Sequence, residues 1–227
     1  MAMLYWIAIS LIWMGGIFSE GIIIGICGAS ASGKTTLATR LQHLLPHNVT
    51  IISQDSYFKH LPHLSLQERI QFNWDCPDGL DIDLLCEQLM MIKQGYSIEQ
   101  PVRNFYTFSR ELFTKTVHPA PIIIVEGILI FAIEEIRKLC DIKIYIDAEA
   151  DIRLIRRVRR DLQERGMSIE DILSQYVNHV KPMHKKLIEP SQIHADVIIP
   201  HGGENPISLD FIESAITQKI RLIEQKK

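Results

Sequence analysis

Residues 28–35 read GASASGKT, and Gly28, Gly33, Lys34 and Thr35 fit the spacing G-x-x-x-x-G-K-[ST]. That spacing bends the backbone around an anion. The glycines permit the sharp turn, so the amides of Ala29, Ser30, Ala31 and Ser32 face inward, and the helix that follows presents its positive end. Lys34 would reach the β- and γ-phosphates of a nucleotide, Thr35 would offer its hydroxyl to Mg²⁺, and Thr36 continues the cradle into the helix. A phosphate cradle does not choose between a switch, a motor and a kinase. Other charged residues must decide.

Two carboxylates lie at the ends of apolar runs. Asp55 follows the run VTIIS, and Glu126 ends PIIIVEG. In an α/β sheet the carboxyl ends of the strands surround the ligand crevice. Asp55 could there accept a proton from a substrate hydroxyl as phosphoryl transfer begins, and Glu126 is a candidate for Mg²⁺ or its bound water. An arginine run, DIRLIRRVRRDLQERG, spans residues 151–166. Arg153, Arg156, Arg157 and Arg160 recur at helical spacing, and Arg165 follows near Gly166. Beside a phosphate cradle such a run suits a closing lid whose guanidinium forks neutralise the transferring group, in preference to a solvated basic face.

The elements that must position these residues are legible as an alternation. Short β-branched runs at 21–27, 49–53, 121–127, 141–147 and 195–200 are nearly continuous in apolar residues, as strands buried on both faces are. Helical patterns lie between them, at 34–45, 83–93, 133–139, 150–164 and 168–187, the last with a break expected at Pro182. A final amphipathic helix, 208–225, puts Leu209, Ile212, Ile216, Ile220 and Ile223 on one stripe. The alternation predicts an α/β fold, a parallel sheet flanked by helices. No repeat or linker divides residues 19–227, which are expected to form one domain.

The chain has 227 residues, 47% of them hydrophobic, with a formal net charge of -3, which argues against a general nucleic-acid binder. Its four cysteines form no C-x-x-C pair and are expected to be reduced thiols of a cytoplasmic protein. Residues 1–18 carry no charge and no secretory-signal features. They read as an extra helix, a membrane anchor, or upstream sequence read through before a start near Met14.

The chain resembles the uridine kinase (uridine–cytidine kinase) family, related to phosphoribulokinase. The resemblance is carried by GASASGKTTLA (28–38), ISQDSYF (52–58), FNWDCPDGLDIDLL (72–85), VEGILIF (125–131), EADIRLIRRVRRDLQERG (149–166), QYVNHVKPMH (175–184) and ADVIIPHGGEN (195–205). It implies ATP-dependent phosphorylation (with ATP or GTP as donor and Mg²⁺) of a nucleoside 5′-hydroxyl, in pyrimidine salvage. It also implies a P-loop sheet with a β-hairpin and a lid, and a homotetramer. By the same resemblance Asp55 is the general base and Asp75 binds the ribose hydroxyls. Arg157 and Arg160 are lid arginines, Gln175 contacts the substrate, and Glu204 lies on the ATP-base side.

The departures fall in the base-reading segments. Where the family's hairpin has Tyr, Asp and His, PVRNFYTFSR (101–110) has Arg103, Asn104 and Phe108. The family's F-D-H-P-D becomes Trp74-Asp75-Cys76-Pro77-Asp78, and an arginine after the lid glycine becomes Met167. Phe108 and Trp74 can stack on a base without reading its edge. Arg103 offers donors and no acceptor if it faces inward, and reads nothing if it faces solvent. Two readings stay open: a kinase of uridine, or of another small hydroxylated acceptor, and an ATP-binding regulatory protein that has lost turnover.

Overall fold

The computed structural model describes residues 20–203 and 205–224. The apolar segment 1–18 and Glu204, with the roles expected for them, lie outside the described residues, as does the side chain of Ile223.

The first strand, β1 (Ile22–Gly28), runs into the glycine loop and then α1 (Lys34–Leu44). There follow β2 (Val49–Ser53), α2 (Leu66–Gln71), α3 (Ile82–Lys93), the hairpin β3 (Ile98–Asn104) and β4 (Ser109–Val117), and β5 (Ile122–Gly127). The rest is α4 (Glu134–Leu139), β6 (Ile142–Ile146), α5 (Ala150–Glu164), α6 (Ile169–Gln175), α7 (Lys181–Met183), β7 (Val197–Ile199) and α8 (Pro206–Glu224). The main sheet has five strands in the order β2-β5-β1-β6-β7, each neighbouring pair parallel. The β3–β4 hairpin forms a separate antiparallel ribbon.

Alternate residues of the sheet feed two cores. Ile24, Ile26, Ile124 and Ile144 pack with Leu37 and Leu41 of α1 and with Leu209, Ile212, Ile216 and Ile220 of α8. Ile23, Ile123, Val125 and Tyr145 pack with Leu85 and Leu89 of α3 and Ile136 of α4. With both faces covered, β1 and β5 are apolar or small at every position except Glu126 at the site end of β5, which explains the continuous runs.

Two segments depart from the sequence-based expectation. Helix α2 was not expected. It begins at a capping box in which Ser65 Oγ accepts from the Glu68 amide at 3.3 Å and Glu68 Oε2 accepts from the Ser65 amide at 2.7 Å. The break expected at Pro182 does not occur. The helical path continues from α6 through π-helical turns at Tyr176–Val180 and His184–Ile188, on either side of α7. Wider turns shift the hydrogen-bond register, so the missing proline N–H is absorbed.

Candidate active site

In the sheet register Ser53 of β2 lies beside Glu126 of β5, and Glu126 lies beside Ile26 of β1. The loops leaving these three strands therefore open at one rim, the carboxyl edge where such sheets bind ligands. Together with α5, α6 and the hairpin they enclose a cleft of about 740 Å³, in the range of small-molecule sites.

The glycine loop forms the floor. Ser30, Ala31, Gly33, Lys34, Thr35 and Thr36 line the cleft, while Gly28, Ala29 and Ser32 are buried and do not line it. Gly33 has φ 100, and a Cβ there would sit 2.7 Å from the amide nitrogen of Gly203, so only glycine fits. Gly203 in turn donates its N–H to the Ser32 carbonyl at 3.1 Å. The loop thus carries the backbone of the β7–α8 connection directly on its outer side. Lys34 Nζ donates to the Ala29 carbonyl at 2.9 Å. Burial holds this ammonium below the ordinary lysine range, with Glu126 the main opposing influence. A buried lysine resting on a carbonyl inside a nest of inward amides fits a polyphosphate, which supplies the missing negative charge.

Glu126 is buried and accepts a short hydrogen bond from Ser53 Oγ at 2.6 Å, with Thr35 close by on the same cleft wall. Burial raises its carboxyl above the usual range, opposed first by Lys34. A hydroxyl of Thr35 and one carboxylate make a donor set suited to Mg²⁺, which keeps waters and phosphate oxygens for its remaining positions. Asp55 sits on the turn Gln54–Tyr57 just beyond β2 and lines the same cleft. It lies within electrostatic reach of Lys34, Glu126 and Asp75. Asp75 is buried, and burial raises its carboxyl while Arg157 pulls it back.

The arginine helix faces the loop. Arg157 Nη1 donates to Ser30 Oγ and Nη2 to Gln175 Oε1, both at 2.9 Å. Gln175 donates its own amide to the Ile70 carbonyl, and so ties α6, α5 and the end of α2 together. Arg156, Arg160 and Arg165 also line the cleft. Arg153 does not. It bonds the Ala148 carbonyl at the start of its helix at 2.8 Å, so the one-face pattern of four arginines is reduced to three. The residue that sequence reasoning missed is Asp161, wholly buried, which meets Arg157 at 3.3 Å, Arg160 at 2.8 Å and Arg165 at 3.3 Å. Its signal was its spacing, four residues after Arg157 and four before Arg165.

The far end of the cleft is aromatic. Trp74, Phe58, Phe72, Phe105 and Phe108 line it. Phe108 adopts φ 51, a left-handed conformation uncommon for a bulky residue, and its ring is buried. Arg103 does not face solvent. The β3–β4 register shifts between Pro101 and Arg103, so that Ile98, Gln100, Pro101 and Arg103 are buried while Val102 is only half-buried. The irregularity reverses the inward parity of the strand and turns Arg103 into the cleft. Asn104 shapes the turn by accepting the amides of Tyr106 at 2.8 Å and Thr107 at 3.0 Å.

Residues 23–208 match the Phosphoribulokinase / Uridine kinase family. The chain belongs to that family. Among its relatives, the uridine kinase of Clostridium tetani is 43% identical over 204 residues, covering 89% of this chain and 98% of the relative. That of Chloroflexus aggregans is 45% identical over 196 residues, 86% and 94% of the two chains. The solved structure of a putative fructose transport system kinase from Silicibacter sp. TM1040 shares the fold at a TM-score of 0.67 and 18% identity, covering 81% of this chain and 92% of that one. Membership of the phosphoribulokinase/uridine kinase family makes the chain a phosphotransferase that draws on a nucleotide donor. Among the described residues, no helix is long and apolar enough to cross a membrane.

Proposed function

We propose that the protein transfers the terminal phosphoryl group of ATP, or of GTP, to the 5′-hydroxyl of a pyrimidine nucleoside, uridine or cytidine, in pyrimidine salvage. One observation carries this reading: a single cleft holds the phosphate loop, the carboxylates Asp55, Asp75 and Glu126, and an aromatic box. The names of the relatives at 43% and 45% identity support it. Asp55 accepts the proton of the attacking hydroxyl as the O–P bond forms. Asp75 holds the ribose hydroxyls, with Arg157 and Gln175 beside it. Trp74 and Phe108 stack on the base. Lys34, Arg157 and Arg160 neutralise charge on the transferring group, with α5 acting as the wall of a closing lid. Thr35 and Glu126 hold Mg²⁺, which when bound shields the phosphate oxygens.

Retention of Lys34, Thr35, Asp55 and Glu126 in one cleft favours turnover over a purely regulatory ATP-binding role. We also propose a cytoplasmic homo-oligomer, a tetramer by resemblance. Leu112 and Phe113, exposed apolar side chains on opposite faces of β4, give the hairpin apolar surface for such contacts. The deciding experiment is ADP release from Mg·ATP with and without uridine or cytidine. Nucleoside-dependent release is expected. Release that ignores both nucleosides, with ATP still bound, would refute the reading.

A further inference from the structure

The hairpin buries a cation that makes no direct ion pair among the described residues, with Asp55 the main opposing charge within reach. Arg103 is 8% exposed, its guanidinium carbon lies 4.0 Å from the Trp74 ring centroid and 4.8 Å from that of Phe58, and its Nη1 is sealed from solvent without a hydrogen-bond partner. Burial pushes the group down to about 9, so it still carries its charge at neutral pH. Stacking on two rings accounts for the position of the head but satisfies none of its in-plane N–H groups.

The other polar groups at this end are committed. Trp74 Nε1 donates to the Arg69 carbonyl at 2.8 Å. Gln175 has both ends of its amide engaged, by Arg157 and by Ile70. A ring nitrogen of His179 pairs with the Gln71 carbonyl at 2.9 Å. Phe58 and Phe108 offer only faces and edges. A planar ring entering the box therefore meets aromatic walls and the donors of Arg103, while the other guanidinium at this end, Arg165, stacks on Phe105 at 4.4 Å and is held by Asp161.

We infer that Arg103 selects the base: it donates to a ring carbonyl opposite the sugar and so favours uracil-type over cytosine-type nucleosides. The inference rests on the nucleoside reading above. With the 5′-hydroxyl at the phosphate end, the ribose lies toward the loop and C4, across the ring from the glycosidic nitrogen, leads into the box. Uracil carries an oxygen at C4 and accepts from the guanidinium. Cytosine carries an amine there, so donor faces donor. Its N3 lone pair can take one arm of the fork, but the other arm then abuts the amine. A buried donor left unpaired is costly, and pairing it removes that cost.

The test is kcat/KM for uridine, cytidine and the 4-unsubstituted 2-pyrimidinone riboside, in wild type and in Arg103→Ala and Arg103→Gln. Wild type is expected to prefer uridine by about 5–150-fold over both others. Arg103→Ala should bring the three together by losing efficiency on uridine. Arg103→Gln, whose amide also accepts, should raise cytidine relative to uridine. Equal use of uridine and cytidine by wild type, or a preference for cytidine, would overturn the inference while leaving the kinase assignment intact. So would a uridine preference that survives Arg103→Ala. Turnover of none of the three, with Mg·ATP bound, would overturn the assignment itself and this inference with it. If Arg103→Ala folds poorly, Arg103→Gln carries the attribution, and a wild type that does not prefer uridine overturns the inference by itself.

Discussion

Arg160 Nε lies 2.8 Å from Oδ1 of Asp161, a carboxylate with no exposed surface. The same carboxylate meets Arg157 and Arg165, so one negative charge fixes three guanidinium groups that face the cleft. We expect Asp161→Asn to lower kcat by about 10²-fold with a smaller change in the KM for ATP, because the arginines lose their aim and keep their charge. Asp161→Ala should also lower the melting temperature, since an unpaired buried cation costs about 3–5 kcal/mol. Steady-state kinetics with a thermal melt on each variant separates the two effects. Unchanged kcat in a folded Asp161→Asn protein would show that the arginines aim themselves.

Lys34→Ala should fold and show little or no phosphoryl transfer. Its ammonium is the buried cation of the glycine loop. The check is turnover at saturating ATP beside a circular dichroism spectrum. Near-normal kcat would contradict the role given to the loop.

Asp55→Asn keeps the shape of its turn and removes the proton acceptor. kcat should fall by about 10²–10⁴-fold while ATP affinity, read by calorimetry, stays near wild type. If affinity collapses and kcat at saturation survives, Asp55 belongs to the metal shell.

The buried Glu126 sets a pH signature. Its folded-state pKa is raised by burial, so between the unfolded carboxylate value and that raised value the folded protein binds more protons than the unfolded chain. Stability contributed by this group is therefore present at low pH and lost as pH rises through the window. Relative to wild type, Glu126→Gln should gain melting temperature as pH climbs from about 4.5 toward neutrality, at about 2–4 °C per kcal/mol for a chain of this size. Mg·ATP should stabilise wild type at pH 7 much more than the variant. Parallel melting curves across that range would refute the account.

Much of this site was visible in the residues. The strands announced themselves because both faces of the sheet are covered, which forces Ile23 and Ile24 alike to be apolar. Asp55 and Glu126 stood out as charges ending such runs. Arg103 was singled out as a base-site residue, but its direction was not legible, because strand alternation predicts side-chain direction only while the register holds, and the register shifts just before it. Asp161 was hidden for another reason. An acid four residues from an arginine reads as an ordinary exposed helix pair until the tertiary fold buries it. The continuity across Pro182 depends on π-helical turns that leave no mark in composition.

The contact between the glycine loop and the β7–α8 connection has a consequence for mutational tolerance. Backbone lies on backbone, with the carbonyl of Gly33 where a Cβ of Gly203 would be and the amide of Gly203 where a Cβ of Gly33 would be. No compensating pair of side chains exists, because shrinking one partner cannot make room when both are already the smallest residue. A library randomised at both codons and selected for growth on the salvage reaction should return glycine twice, where an ordinary packed pair would return many complementary combinations. Position 203, some 170 residues along the chain from the phosphate loop, would then behave genetically as part of that loop.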